Sequence, residues 1–105
     1  MAFSKADQFD PALIRQTFWS KALGHPARII ILQYLLKSKT GRLRDFRSQI
    51  NLTPSTISQH IRYLQSLGVI FLVAKFPYGV YEIDKTICRS LVKEIHKTNY
   101  RFLRF

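Results

Sequence analysis

The residues that could do chemistry gather after Pro54. Ser55, Thr56, Ser58, Gln59 and Arg62 fall on one side of a helical projection, with His60 at its edge, while Ile57, Ile61, Leu64 and Leu67 fall on the other. Hydroxyls, an amide and a guanidinium are not a catalytic set, since none is paired with a base or an acid. They are groups that bond the edges of stacked bases: Gln pairs in bidentate fashion with adenine, Ser and Thr bond base edges or phosphate, and Arg meets guanine or phosphate. Each has a bland alternative, because Ser and Thr near a helix start often serve as local caps and exposed Gln or Arg is often only solvated. His60, beside the apolar Ile61, reads more naturally as packed than as a base reader.

A second group precedes this helix. Arg42, Arg44 and Arg47 share their stretch with one acid, Asp45. All three arginines, Arg44 and Arg47 foremost, are expected to grip the phosphate backbone of the duplex that the helix after Pro54 would read, the alternative being a basic loop that keeps the chain soluble. The bulk charge agrees. Among 105 residues, 17 are Lys or Arg and six are Asp or Glu, a formal net charge of +11. An excess of that size repels itself in a compact fold unless an anionic partner offsets it. Double-stranded DNA is the expected partner.

Other chemistries find little support. A Gly-rich phosphate loop, a nucleophile with its base, and a carboxylate pair are all missing, and His25, His60 and His96 are scattered without evident partners, so no enzyme and no cofactor are expected. The one cysteine, Cys88, excludes an internal disulfide and a multi-cysteine zinc site. It reads as a small apolar residue, or as a thiol made reactive by Lys85 and Arg89. The longest apolar run, residues 29–32, is far below the roughly 20 that a membrane span needs, and the first sixteen residues lack a signal-peptide pattern. The expectation is a cytoplasmic protein without membrane attachment.

These groups need a scaffold, and its elements are legible. The chain reads as one domain over residues 1–105, mostly α with a β-hairpin wing, in the order α-α-α-α-β-β-α. Asp10-Pro11 opens a helix that runs to about Leu23, with Leu13, Ile14, Thr17, Phe18 and Ala22 at helical spacing. A second helix, Ala27 to about Lys37, carries a stripe of Ile29, Ile30, Leu32, Leu35 and Leu36. Thr40-Gly41 turns into a short third helix from Asp45 to Ile50, with Leu43, Phe46 and Ile50 inward. Thr53 caps the fourth helix, Pro54 is its first residue, and Gly68 ends it. Two strand-like runs, residues 69–75 and 80–83, flank Phe76-Pro77-Tyr78-Gly79 and predict a hairpin. Lys75 is the only charge of the wing before the turn, and Tyr78 could bond a phosphate. Asp84 caps a last helix from Lys85 toward Tyr100, with Ile87, Leu91, Ile95 and Asn99 on one stripe. Two short linked helices followed by a hairpin make a winged helix-turn-helix.

Two segments resemble the ArsR/SmtB family of transcriptional regulators. Residues Phe18-Trp19-Ser20-Lys21-Ala22-Leu23-Gly24-His25-Pro26-Ala27-Arg28-Ile29-Ile30-Ile31-Leu32 resemble its F-K-A-L-x-x-P-x-R-x-x-I-L opening. Leu52-Thr53-Pro54-Ser55-Thr56-Ile57-Ser58-Gln59-His60-Ile61-Arg62-Tyr63-Leu64 resembles its recognition segment, and Leu67-Gly68-Val69-Ile70 its A-G-L-V. The resemblance implies a repressor that acts as a homodimer on an inverted-repeat operator and leaves it when an inducer binds. It places DNA contacts on Ser55, Ser58 and Gln59, and a dimer interface on the first and last helices. Leu13, Trp19, Ile87, Leu91 and Ile95 are the residues expected there, with Phe9, Phe18 and Phe102 as further candidates, Phe18 reading more naturally as core. The family's metal sites are incomplete here: residues 43–49 contain no cysteine, Asp84 is followed by Lys85 and Thr86 where Asp-x-His is needed, and the later ligand positions fall on Lys97 and Tyr100, with His96 one residue early. No metal site is expected, and the inducer is unspecified. The competing reading is a winged-helix module that binds a protein or RNA partner.

Overall fold

The computed structural model describes residues 8–75 and 78–102, with side chains as far as 97. The expectations for Phe76, Pro77, the first seven residues, and the side chains of Asn99, Tyr100 and Phe102 lie outside these. Five helices and one hairpin follow in the expected order: α1 Pro11–Ala22, α2 Pro26–Ser38, α3 Leu43–Arg47, α4 Pro54–Ser66, β1 Ile70–Ala74, β2 Val80–Ile83, a single 3-10 turn at Lys85–Ile87, and α5 Cys88–Phe102.

The helix starts follow from proline and a capping side chain. Proline is tolerated in the first turn because its missing N–H would have no helical partner there. The Asp10 carboxylate accepts from the Ala12 N–H at 2.7 Å, and the Thr53 hydroxyl accepts from the Thr56 N–H at 3.3 Å. At α2 the acceptor is an imidazole, with His25 Nδ1 3.0 Å from the Ala27 N–H. α3 begins two residues earlier than expected. The Asp45 carboxylate reaches back to the Arg42 N–H at 2.8 Å, a cap that no standard N-cap residue announces. α3 also stops at Arg47 instead of Ile50.

The core is a single cluster in which α2, α3, α4, the hairpin base and α5 meet. Ile31, Leu32, Leu35, Phe46, Ile57, Ile61, Leu64, Val69, Ile70, Ile83 and Leu91 are buried. The inner face of α2 is rotated from the expected stripe. Ala27, Ile31, Leu32 and Leu35 are buried, whereas Ile29, Ile30 and Leu36 are only partly covered. On α1, Trp19 and Ala22 are buried while Leu13 and Ile14 face outward.

The hairpin is antiparallel, pairing Ile70 with Ile83, Phe71 with Glu82, Leu72 with Tyr81 and Ala74 with Val80, with a bulge between Leu72 and Ala74. Only Ile70 of β1 is buried; Phe71, Leu72 and Val73 project from the body. β2 is tied down on its other side. The Gly41 N–H donates to the Tyr81 carbonyl at 3.0 Å and the Tyr81 N–H to the Gly41 carbonyl at 2.8 Å. The left-handed residue of this turn is Lys39, at φ 71. Gly41 is small for a different reason: a Cβ there would lie 2.8 Å from Phe46 Cζ and 2.9 Å from Leu35 Cδ2. Gly41→Ala is therefore expected to lower stability by about 1–3 kcal/mol, the usual range for overpacking a filled core, as read from urea unfolding midpoints.

Candidate nucleic-acid interface

α4 presents two unlike faces because its apolar residues recur at helical spacing. Ile57, Ile61 and Leu64 are sunk in the core, which turns Ser55, Gln59 and Arg62 outward, one and two turns apart and all exposed. Ser58, adjacent to them, is half-buried. Thr56 is engaged locally: its hydroxyl accepts from the Thr53 hydroxyl at 2.9 Å, within the cap that also places Ser55 Oγ 3.3 Å from Thr53 Oγ1. Of the five residues expected to face a ligand, Ser55, Gln59 and Arg62 are exposed, Ser55 with its hydroxyl beside the Thr53 cap, while Ser58 is partly covered and Thr56 helps start the helix.

The arginines before α4 meet the wing. Arg42, Leu43, Arg44 and Arg47 line an open groove whose other wall is Tyr78, Gly79 and Tyr81, and the Arg42 guanidinium lies 6.0 Å from the Tyr78 ring centroid. The Gly41–Tyr81 bridge ties the residue before Arg42 to β2, which holds the start of the arginine segment beside the hairpin. Asp45, the one nearby acid, turns its carboxylate to the Arg42 backbone. Among the described residues the only ion pair is Lys97 with Glu94, 3.5 Å apart on α5. Arg44 and Arg47 are exposed, and so is Lys75 at the end of β1.

Sequence reasoning missed a cluster behind α4. His25 and His60, which appear scattered along the chain, lie with ring centroids 4.3 Å apart. Arg28 Nη1 is 3.1 Å from His60 Nδ1, and Arg28 Nη2 donates to the Lys21 carbonyl at 3.0 Å. The same guanidinium lies 4.7 Å from the Tyr63 ring centroid. Burial holds the His60 imidazole below its ordinary value of 6.5, and the neighbouring His25 and Arg28 add to this. Such a group favours folding fully above about pH 6.5, and that contribution is lost as pH falls through the folded-state value. No local motif could have announced this cluster, since residues 28 and 60 are 32 positions apart.

The residues expected at a subunit interface divide. Trp19, Leu91 and Ile95, at 7%, 0% and 5% exposure, are filled into this chain's own core and have almost no surface left for a partner. Ile87 is half-buried, while Leu13 is free. The large apolar side chains left exposed on α1, just before it and on α5 are Phe9, Leu13, Ile14 and Val92. Cys88 is half-buried, its thiol 3.5 Å from the Asp84 carbonyl. Among the described residues no group of three or more His, Cys, Asp or Glu could hold a metal ion, and no helix is long and apolar enough to cross a membrane.

An exposed polar helix beside a short helix and a hairpin is found in solved structures. The transcriptional repressor BigR from Xylella fastidiosa superposes with a TM-score of 0.72 at 17% identity, covering 95% of this chain and 97% of its own. M. tuberculosis Rv0081 gives 0.71 at 26% identity, covering 91% and 96%. An ArsR family transcriptional regulator, RHA00566, gives 0.61 at 16% identity, covering 90% and 94%. The chain shares the winged helix-turn-helix fold of these solved structures. No protein-family model matches the chain, and no curated protein matches it. In that fold α3 and α4 are the helix-turn-helix and β1–β2 the wing. Replacing Arg44 and Arg47 by Ala is expected to weaken binding to any duplex and to flatten the plot of log affinity against log salt by about 1.8, the value for two lost phosphate contacts. An unchanged slope in filter-binding titrations would remove both from the backbone contacts.

Proposed function

We propose that the chain is a sequence-specific DNA-binding transcriptional regulator, acting as a repressor in the form of a homodimer on an inverted-repeat operator. The observation that carries this is the outer face of α4. Ser55, Gln59 and Arg62 stand exposed in a row, backed by a buried aliphatic face, on a chain with an excess of eleven positive charges. Gln59 reads a base in the major groove, Ser55 and Arg62 contact base edges or phosphate, and Ser58 contributes from the edge of the face. Arg44 and Arg47 hold the backbone, and Lys75 and Tyr78 of the wing extend those contacts. The repressor role draws on the likeness to BigR, described as a transcriptional repressor.

Dimerisation gives a use to the apolar surface the fold leaves open. Phe9 and Leu13 are 57% and 53% exposed, and a two-fold through α1 and α5 would cover them together with Ile14 and Val92. Two copies of α4 would then enter successive major grooves about 34 Å apart. Occupying a promoter in this way blocks polymerase, and an inducer would favour a dimer in which the two helices no longer match that spacing.

Two experiments decide the proposal. Duplexes selected by the protein from random sequence should converge on an inverted repeat, and Gln59→Ala should cost about 1–3 kcal/mol on the selected site and little on random DNA. Equal losses on both would show that Gln59 reads no base. Leu13→Asp should convert a dimer to a monomer in sedimentation equilibrium and weaken binding to the full repeat by at least about 100-fold, because two linked half-site contacts become one. A protein that is monomeric before the substitution would refute the paired mode.

A further inference from the structure

We propose that Arg28 and His60 form a latch that positions α4 for DNA, and that a proton on His60 opens it. This rests on the reading of α4 as the DNA-contacting helix. Arginine carries only donors, so the contact of Arg28 Nη1 with His60 Nδ1 at 3.1 Å requires a neutral imidazole with its proton on Nε2. The same guanidinium bonds the Lys21 carbonyl at the end of α1 and lies over Tyr63, one turn beyond His60 on α4. Arg28 therefore fastens α1, the start of α2 and α4 through one planar group. Its Nε is buried without a hydrogen-bond partner, so its two Nη atoms and its face make all of these contacts.

Protonation would reverse the polarity of the central contact. A proton on Nδ1 would aim an N–H at a guanidinium and set two positive charges at hydrogen-bond distance. His25 compounds this. Its ring lies against that of His60, and its own Nδ1 is committed to capping α2 by accepting from Ala27. The charged and titratable groups acting on His60 are His25 and Arg28. β1, which packs on α4, has no ionisable residue, and α3, also packed on α4, carries Arg44, Asp45 and Arg47, of which Asp45 turns its carboxylate to the Arg42 N–H. No carboxylate forms an ion pair with Arg28, His25 or His60 among the described residues, so no counter-ion would absorb the added charge. Relief by a shift of α4 away from α2 would displace Gln59, the neighbour of His60.

The predicted sign opposes simple electrostatics. Adding positive charge by protonating histidines should strengthen the attraction to DNA, whereas opening the latch should weaken sequence-specific binding alone. The test uses the full chain, a duplex selected by it at pH 7.5 and a random duplex of equal length. Between pH 7.5 and 5.5 the affinity for the selected duplex is expected to fall about threefold or more, within the tenfold per pH unit that one linked proton permits. Affinity for the random duplex should hold or rise. His60→Gln, which keeps an uncharged acceptor, should retain the pH 7.5 affinity within about twofold and lose the pH dependence. An unchanged or tighter selected complex at pH 5.5, or an equal fall in His60→Gln, would overturn the latch. Nitrogen-15 NMR of the free protein decides it independently: His60 should show the Nε2–H form at pH 7.5, and the amide shifts along α4 should move with its titration. A titration confined to the ring overturns the latch whatever the DNA result. Failure to select any duplex at pH 7.5 instead overturns the DNA-binding reading.

Discussion

Three aliphatic side chains set the rotation of α4 about its own axis. Ile57, Ile61 and Leu64 are buried against α2, α3 and the base of the hairpin, and each is worth about 1.5–3 kcal/mol as buried apolar surface. Turning the helix to hide Gln59 would expose all three and bury an amide without a partner. Everything functional in the proposal inherits this constraint, because a base-reading side chain is useful only where its helix is held. The Thr53 cap and Pro54 fix where the helix begins, and Gly68, at φ 76, lets the chain leave it for the wing.

Around that helix the fold concentrates charge without neutralising it. The single acid among the three arginines of the α3 region is consumed by a helix cap, and the groove they line is completed by the phenols of Tyr78 and Tyr81. Such a surface gains by neutralising anions, and nucleic acid supplies them in a regular row. The Arg28 cluster is the opposite case. There the guanidinium has aromatic and neutral acceptors and no acid, which makes its geometry dependent on the protonation of a single imidazole.

Much of this was legible because the signals were local. Proline after a capping residue marks α1 and α4, and the switch from helical to strand-like spacing marks the wing. The outer face of α4 follows from a 3.6-residue repeat within thirteen residues. Local signals failed where the pattern was degenerate or the partner distant. The consecutive Ile29, Ile30 and Ile31 fit more than one helical stripe, so the inner face of α2 was misplaced. α3 starts at a capping carboxylate three residues into its own motif. Trp19, Leu91 and Ile95 have the apolar character expected of an interface, but their own chain packs against them first.

Sequence by itself determined the element order, the capped amphipathic helix and the net positive charge, since periodicity, proline and charge are properties of neighbouring residues. Tertiary structure decided which apolar residues remain on the surface, which arginines share a groove with the wing, and that His25, Arg28 and His60 meet. Those outcomes depend on contacts between segments far apart in the chain, and side-chain order along a single segment does not encode them.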